Sequence, residues 1–432
     1  MTRQEFVTPE NMGLLTDLYE LTMAASYFEH CRLDRATFDL FVRKLPPQRS
    51  YLVFAGLEHA CFYLTHLSFG PEAIRYLRST GQFSAGFLKY LRGFRFRGNV
   101  DAMPEGTIFF PNEPVLRVSG NIIETQIVET YLLNAINLQS LIATKASRVV
   151  TAAQGRPVIE FGLRRTHGAD AGLKGARAAY LAGCAGSSNV LAGQVYGIPV
   201  FGTMAHSFVQ AFPSELEAFR AFAQTYPSGT TLLIDTFDTA RGAHHAVHVA
   251  RELAREGHRL GGVRLDSGDL VALSQEVRKI LDKEGLTGVK IFASGNLHEA
   301  RIATMLREGA CLDAFGVGTE LSVSGDAPHL DVVYKMSEVV RKGTRYPTLK
   351  LSAHKQSFPG HKQVYRREED GRIMEDVLAV QGEQVRGRPL LRPVLRNGRL
   401  VRALPSLVSI RRHAERERRT LPPALRELHS TT

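Results

Sequence analysis

The segment GGVRLDSGDLVALSQEVRKILDKEGLTGVKIFAS, residues 261–294, carries the strongest structural signal in the chain. It begins with a short apolar run (261–266), continues with apolar residues at helical spacing (267–284), and ends with a second apolar run (289–294). Short apolar runs bounded by turns are typical of buried strands, and the periodic stretch between them indicates a helix. A strand, a helix and a strand in succession form a right-handed unit with parallel strands. The segment therefore predicts an α/β fold built on a parallel sheet.

The same alternation continues on both sides of this segment. Further strands are predicted at PVIEFG (157–162), GIPVFG (197–202), TTLLID (230–235) and AFGVG (314–318). Helices are predicted over 170–182, 214–224, 240–256 and 298–308. Repeated strand–helix units of this number fit an irregular or incomplete (β/α) barrel better than an open sheet.

The flanking regions differ from this pattern. Helices are predicted over 14–30, 52–67, 71–79 and 122–153, a half-buried strand over 36–43, and short strands with turns over 98–121. Beyond residue 340 the chain is rich in turns, with a hairpin signal at Asn397-Gly398 and a basic helix near the end. We predict an N-terminal α+β domain (1–122), a barrel-like catalytic domain (123–340), and a basic C-terminal segment (341–432) whose strands complete the N-terminal domain.

Composition and charge exclude several classes of protein. The formal net charge is +11, but residues 341–432 hold 21 Lys+Arg against 9 Asp+Glu, so the basic character belongs to this segment. No nucleic-acid motif accompanies it, and the favoured interpretation is a solvated surface that also raises the local concentration of phosphate. No apolar run is long enough to cross a bilayer, and the polar start lacks a signal-peptide pattern, so we expect a cytoplasmic protein without a membrane partner. The scattered cysteines have no zinc-ribbon spacing.

Candidate functional residues follow the predicted strands, because ligands bind at the carboxyl ends of parallel strands. Arg164 and Arg165 follow the first strand and match the fork geometry of an anion, although a surface pair is the plain alternative. Thr203 and His206 follow the second strand. His206 is a catalytic candidate or an ordinary polar contact.

Carboxylates follow the next two strands. Asp235 and Asp238 end one strand, and Asp266 and Asp269 end the other, with Arg264 pointing to the same side as Asp266. Such carboxylates suit Mg²⁺ or ribose hydroxyls. Asp238 and Asp269 are equally placed to cap helices.

The last two strands end in small polar residues and glycines. Ser294 and Asn296 follow one strand, and Gly316, Gly318 and Thr319 end the other. Glycines at this position let backbone N–H groups approach a phosphate, although glycines also serve ordinary turns. The combined pattern indicates a site for a sugar diphosphate, Mg²⁺ and a second, small anion.

These pieces resemble the nicotinate phosphoribosyltransferase family. The motifs that carry the resemblance are TDLYELTM (16–23), EFGLRR (160–165), GSSNVLAG (186–193), GTMAHS (202–207), IDTFDT (234–239), VRLDSGD (263–269), ASGNLHE (293–299), GVGTELS (316–322) and SFPGHKQVYR (357–366). Each motif is weak alone, but their order along most of the chain is specific.

The resemblance implies an activity. Members of the family join nicotinate to 5-phosphoribosyl 1-diphosphate, releasing nicotinate mononucleotide and diphosphate in NAD salvage, with coupled ATP hydrolysis and Mg²⁺. It also implies a homodimer with a shared active site, with Tyr19 of one subunit stacking on the pyridine ring in the other.

The resemblance also implies residue roles. His206 resembles the histidine that ATP phosphorylates transiently, and Arg264 and Asp266 complete the expected catalytic group. Contacts to nicotinate are implied for Tyr19, Phe161, Arg164, Ser188 and Thr203. Contacts to the phosphoribosyl group are implied for Asp269, Ser294, Asn296, Gly316, Gly318 and Thr319, and Mg²⁺ ligation for Asp266 and Asp269.

Two alternatives stay open. A related phosphoribosyltransferase would act on nicotinamide or quinolinate, but Ser188 stands where the nicotinamide enzymes are expected to have an aspartate, and a hydroxyl can donate to the carboxylate of nicotinate. The second alternative is a catalytically silent, barrel-based binding protein, against which the intact set of arginine, aspartate, histidine and glycine argues.

Overall fold

The computed structural model describes residues 7–31, 34–350 and 357–428. Residues 1–6 of the polar start, the last two residues of the strand-like segment RYPTLKLS (345–352) and the final residues 429–432 lie outside this range. Within it, no helix is both long and apolar enough to cross a membrane. The expected cytoplasmic location stays a prediction.

The described residues form strands and helices in the following order. The strands are β1 (Arg35–Val42), β2 (Leu52–Val53), β3 (Asn99–Ala102), β4 (Ile108–Phe109), β5 (Leu116–Asn121), β6 (Val158–Glu160), β7 (Gly186–Ser187), β8 (Thr231–Leu233), β9 (Gly262–Leu265), β10 (Lys290–Ala293), β11 (Ala314–Val317), β12 (Val332–Arg341), β13 (Thr344–Pro347), β14 (Lys362–Glu369), β15 (Arg372–Val380), β16 (Arg388–Pro389), β17 (Arg392–Arg396) and β18 (Arg399–Leu400). The α-helices are α1 (Leu18–His30), α2 (Leu57–His66), α3 (Pro71–Ser79), α4 (Ala85–Arg92), α5 (Ile122–Ile127), α6 (Glu129–Ala152), α7 (Ala169–Leu181), α8 (Val190–Tyr196), α9 (His206–Gln210), α10 (Glu215–Thr225), α11 (Thr239–Arg255), α12 (Leu270–Lys283), α13 (Glu299–Arg307), α14 (Thr319–Ser322), α15 (Leu407–Thr420) and α16 (Pro423–Arg426).

The chain divides into two compact units. The first comprises residues 1–141 and 329–432, and the second comprises residues 142–328. The division differs from the predicted boundaries at 122/123 and 340/341. One observed boundary falls inside the long helix α6, and the other precedes strand β12.

The first unit is built on a seven-stranded sheet in the order β13-β12-β1-β5-β3-β17-β18. Its neighbouring strands are antiparallel, and β1 lies between β5 and the C-terminal strand β12. Strand β1 is buried along nearly its whole length, not on one face as its alternation predicted. The buried Asp39 in β1 is paired with Lys362, whose Nζ lies 2.6 Å from Asp39 Oδ2. Such pairing explains how a charged residue is buried within this strand.

The second unit contains the predicted parallel sheet. Its six strands lie in the order β7-β6-β11-β10-β9-β8, and every pair is parallel. The mixed α/β fold with a parallel sheet is therefore confirmed. Among the described residues no hydrogen bonds join the outer strands β7 and β8 into a closed ring. The helices predicted between these strands are present as α7, α10, α11, α12 and α13.

Two of the predicted elements are wrong. Residues 197–202 form no strand beyond a single bridge between Val200 and Ser187, because Gly197 adopts φ +66° as a helix cap and Pro199 lacks an N–H. Gly186–Ser187 forms the edge strand β7, and Val200 pairs only with its Ser187. The helix predicted over 52–67 begins only at Leu57, because residues 52–53 pair with β4 and Gly56 adopts φ +107°.

Candidate active site

The predicted site residues of the second unit follow neighbouring strands of one sheet. Strands β6, β11, β10, β9 and β8 are parallel and adjacent, so their carboxyl ends lie along the same edge. This edge is where open and barrel-like α/β proteins bind ligands. The segments that follow these strands contain most of the candidates named above.

A connected polar group surrounds Arg264 and His206. Arg264 Nη1 donates to Thr203 Oγ1 at 2.8 Å, and its Nη2 lies 3.7 Å from Asp266 Oδ1. The other carboxylate oxygen of Asp266 lies 3.9 Å from His206 Nε2. The predicted catalytic residues are thus brought together, with Thr203 beside them.

Two further residues support this group. His206 Nδ1 lies 3.1 Å from Thr236 Oγ1, so one ring nitrogen has a partner at the end of β8. Asp235 Oδ2 accepts hydrogen bonds from the backbone N–H of Asp266 and from Ser267 Oγ, both at 2.8 Å. Asp235 therefore fixes the backbone that presents Asp266.

The electrostatic state of Arg264 is unusual for an arginine. Burial lowers the pKa of its guanidinium, the carboxylates of Asp266 and Asp235 oppose that shift, and the positive charge of Arg164 adds to it. Its Nε is buried and has no hydrogen-bond partner among the described residues. A half-buried cation with a spare, buried donor is a strong site for an anionic ligand.

Phe161 lies at the same edge, against strands β10 and β11. The centroids of Phe161 and Phe292 are 5.6 Å apart at an interplanar angle of 58°. A side chain at Gly316 would come within 2.6 Å of the Phe161 ring and 2.9 Å of the Phe292 ring. Glycine is therefore required at 316 to admit the two rings, which is a packing reason in addition to the predicted phosphate contact.

A buried carboxylate connects the segments that follow β6, β7 and β11. Glu160 is 2% exposed and accepts hydrogen bonds from Ser187 Oγ at 2.6 Å, from Gly162 N at 2.5 Å and from Ser322 Oγ at 3.0 Å. Gly162 lies so close to Ser322 that an added Cβ would be 1.3 Å from Ser322 Oγ. Glu160 thus holds three segments that carry predicted site residues.

The remaining predicted residues of this unit lie along these segments. Arg164 is exposed in the 3-10 helix Leu163–Arg165, and Ser188 is half-buried, its N–H donating to Glu160 O. Ser294 is buried and donates to Asp266 Oδ1 at 2.5 Å, whereas Asn296 is exposed with φ +49°. Gly318 caps the short helix α14, which begins at the exposed Thr319. Their contacts to substrate stay predictions.

Tyr19 and Asp269 are placed differently. Tyr19 belongs to the first unit, on helix α1, where it is 49% exposed. Asp269 caps helix α12, because its Oδ1 accepts from the N–H groups of Val271 and Ala272 at 3.1 and 3.2 Å. Asp238 caps helix α11 in the same way. The capping alternative therefore describes what Asp269 and Asp238 do in this structure.

The described residues contain no cluster of three or more His, Cys, Asp or Glu side chains that could enclose a metal ion. Nevertheless, Asp235 Oδ1 is buried and has no hydrogen-bond partner among them, and Asp266 lies on the adjoining backbone. Carboxylate oxygens suit Mg²⁺, which usually takes only one or two protein carboxylates together with water and phosphate. Asp266 and Asp235 fit this role better than the capping residue Asp269.

Comparison with known proteins identifies the family. A model described as the nicotinate phosphoribosyltransferase N-terminal domain matches residues 14–137, and one described as the nicotinate phosphoribosyltransferase family matches residues 157–381. The chain belongs to the nicotinate phosphoribosyltransferase family. This confirms the resemblance that the motifs indicated.

Named relatives cover nearly the whole chain. A nicotinate phosphoribosyltransferase of Mycobacterium tuberculosis is 51% identical over 97% of this chain and 89% of its own length. That of Bacillus subtilis is 41% identical over 89% and 79%. The crystal structure of human nicotinic acid phosphoribosyltransferase matches with a TM-score of 0.85 and 31% identity, covering 96% of each chain. A Pyrococcus furiosus structure named nicotinate-nucleotide pyrophosphorylase matches with a TM-score of 0.78 and 28% identity.

The structure connects to the site several residues that the prediction lacked, among them Glu160, Ser187, Thr236, Phe292 and Ser322. Glu160 had a visible signal, because a carboxylate inside a buried apolar strand needs partners. Phe292 also lies in a predicted strand, but nothing in its spacing indicated which ring it would contact. Thr236 and Ser322 lie inside the motifs IDTFDT and GVGTELS, but nothing in those motifs indicated what the two side chains contact.

Proposed function

We propose that this chain joins nicotinate to 5-phosphoribosyl 1-diphosphate, giving nicotinate mononucleotide and diphosphate in NAD salvage. The observation that carries the proposal is the group of Arg264, Asp266, Thr203 and His206 at the edge that also presents Phe161. This group combines a half-buried cation, a carboxylate and an aromatic face, which suit an anionic pyridine and a charged sugar.

The reaction itself needs little covalent participation from the protein. The pyridine nitrogen forms a bond to ribose C1 while the bond from C1 to the diphosphate oxygen breaks, and the leaving diphosphate carries the electron pair away. Positioning the weak nucleophile and neutralising the developing charge are then the main contributions. Phe161 offers a ring face to nicotinate, and Arg264 and Arg164 offer guanidinium groups to its carboxylate or to phosphate.

Mg²⁺ bound with Asp266 and Asp235 would neutralise the diphosphate charge. The chain's own residues prepare this location. Asp235 holds the backbone N–H of Asp266, and Ser294 donates to Asp266, so the carboxylate is fixed before any ligand arrives. ATP is proposed as a co-substrate that phosphorylates His206, whose side chain is 39% exposed and reachable.

Phosphorylation of His206 would change the local charge. A phosphoryl group adds a charge of about −1.5 to −2 at neutral pH. It would stand beside Asp266, whose carboxylate is 3.9 Å from His206 Nε2, and Arg264 is the nearby cation that can offset it. Phosphorylation would therefore shift the affinity of this edge for diphosphate.

A homodimer is part of the proposal. Five apolar side chains between residues 190 and 201 are 41–73% exposed: Val190, Leu191, Val195, Val200 and Phe201. Several exposed apolar side chains within one short stretch of chain favour an interaction site. It lies in the chain between Ser188 and Thr203, two predicted nicotinate contacts, and Tyr19 is the exposed ring proposed to enter from the other subunit.

A steady-state assay tests the proposal. The purified protein would be supplied with 5-phosphoribosyl 1-diphosphate and Mg²⁺, with nicotinate, nicotinamide or quinolinate, and with or without ATP. We expect nicotinate mononucleotide to form from nicotinate, and faster with ATP. Turnover of nicotinamide or quinolinate in preference to nicotinate would reject the assignment of substrate, and absence of product from all three would favour a silent binding protein.

A further inference from the structure

A cleft in the first unit is rich in arginine and lies outside the group around His206. It has a volume of about 560 Å³ and runs beside helix α15. The basic side chains that line it are Arg388, Arg392, Arg402, His413 and Arg416. All of them belong to the basic C-terminal segment, whose charge the proposed function leaves unexplained.

In the part of the chain that the structure describes, three of these arginines have no ion-pair or hydrogen-bond partner. Arg392, Arg402 and Arg416 are exposed, and among the described residues none forms an ion pair or a side-chain hydrogen bond. Arg388, in contrast, donates to Glu368 and Glu417 at 2.7 and 2.9 Å. Three guanidinium groups at one cleft repel each other unless an anion lies between them.

The carboxylates of the cleft are already engaged. Glu417 is buried and also accepts from Arg366 Nη1 at 2.7 Å. Glu105 is buried and accepts from the N–H of Gly56 at 2.6 Å. The acidic side chains therefore do not neutralise the three free arginines.

The pKa of His413 depends on the charged side chains of the cleft. Burial is the largest cause that lowers the pKa of its imidazole, Glu417 opposes the shift, and Arg416, Arg388 and Arg392 add to it. Its Nε2 lies 3.0 Å from Thr107 Oγ1, so the ring is fixed at the wall. Arg388, Arg392 and Arg416 thus act together on one point of the cleft.

An apolar slot continues from the basic cleft. The slot has a volume of about 80 Å³, and Leu57, Met103, Val394 and Leu404 are among the apolar residues that line it. The two spaces share Pro104, Glu105, Arg392, Arg402, Pro405 and Ile410. A ligand can therefore place a charged end against the arginines and an apolar end in the slot.

We propose that this cleft binds a phosphorylated small molecule, with its phosphate against Arg392, Arg402 and Arg416 and an apolar group in the adjoining slot. Guanidinium forks match phosphate oxygens in pairs. The combined volume is that of a small-molecule site. The arginines face a concave space with an apolar end, whereas nucleic acid binding uses an extended basic surface with stacking aromatic residues.

Calorimetric titration of the full-length protein with phenyl phosphate and with inorganic phosphate tests the proposal. The test variant is Arg402→Gln/Arg416→Gln, which removes two unpaired, exposed side chains and leaves the core intact. We expect it to bind phenyl phosphate at this site roughly tenfold more weakly for each arginine lost, since a hydrogen bond to a charged group contributes on that scale. Phenyl phosphate should bind the unsubstituted protein more tightly than inorganic phosphate does.

Arg412→Gln is the matched control, because Arg412 is exposed on the same helix but does not line the cleft. It should bind as the unsubstituted protein does, and phosphate binding at the proposed catalytic edge should be the same in all three proteins. Equal titrations for the double variant and the unsubstituted protein would overturn the proposal. So would equal weakening by Arg412→Gln, or tighter binding of a single-stranded oligonucleotide through the same arginines. The titration needs no catalysis, so its outcome is independent of the proposed reaction.

Discussion

Gly162→Ala is the sharpest test of how the site is assembled. The backbone of Gly162 has φ −99°, which alanine adopts without strain, so the effect depends on space alone. The added Cβ would lie 1.3 Å from Ser322 Oγ and 2.4 Å from Ser322 Cβ. Since carbon contacts settle near 3.5 Å, one of the two segments must move by roughly 2 Å.

The movement would break the hydrogen bonds of Ser322. Its Oγ donates to Glu160 Oε1 and lies within hydrogen-bond distance of Gly318 O, both at 3.0 Å. A bond to a charged group contributes about 1.5–3 kcal/mol and a neutral one about 0.5–1.5 kcal/mol. Loss of both hydrogen bonds would therefore cost the assembled site about 2–4 kcal/mol. Because transfer needs the assembled site, we expect kcat/KM for nicotinate transfer to fall by roughly 30- to 1000-fold. The melting temperature should fall as well.

Two further variants isolate the cause. Gly162→Ala/Ser322→Gly removes the clashing side chain, leaves Glu160 Oε1 at 2.9 Å as the next contact, and should recover part of the activity. Gly175→Ala is the control, because Gly175 lies in helix α7 and an added Cβ meets nothing within 4 Å. Unchanged kinetics and melting temperature in Gly162→Ala would refute the packing argument, and failure of the rescue would refute Ser322 as its cause.

Three further predictions concern charge at named positions. His206→Ala should lose the stimulation of nicotinate transfer by ATP while keeping some basal transfer, and a full response to ATP in the same rate assay would disprove the phosphohistidine role. Ser188→Asp should lower kcat/KM for nicotinate by tenfold or more, on the order of one repulsive charge contact, and an unchanged value would remove Ser188 from substrate selection. Burial and the neighbouring Glu20 raise the pKa of Glu129 from 4.5 to about 7. The protonated side chain therefore adds to the free energy of unfolding in full below pH 4.5, and this contribution is lost as pH rises through 7. Glu129→Gln should therefore flatten the decline of melting temperature between pH 5 and 8, and a decline as steep as that of the unsubstituted protein would contradict the assigned cause.

The fold of the second unit could be predicted well because its signal is local. Each buried strand is a short apolar run, and each helix that follows has its own periodicity, as in β9, α12 and β10. The prediction of a strand over residues 197–202 was wrong for a physical reason. Its apolar residues resemble a strand, but Gly197 and Pro199 remove it from the ladder, and Val200 and Phe201 are exposed.

The site could be predicted only in part, because residue type and strand position do not define distance. Arg264, Asp266 and His206 were identifiable from strand ends, and the structure brings them together. The role of Glu160 depends on Ser322, which is 162 positions away in the chain, and spacing cannot indicate such a contact. The ambiguity at Asp269 was also local, since a carboxylate before a helix suits both capping and metal binding.

The first unit is discontinuous in the chain, and this has a consequence for biosynthesis. Strand β1 pairs with β12, so Arg35 lies opposite Val340, and β3 pairs with β17. A ribosome therefore releases β1, β3 and β5, which pair with one another, long before the outer neighbours β12 and β17 exist, whereas the strands of the inserted unit emerge consecutively. Contacts between remote positions form slowly because a long loop must close first. During translation the inserted unit can complete its sheet first, while the earlier strands wait with unpaired edges that are open to aggregation.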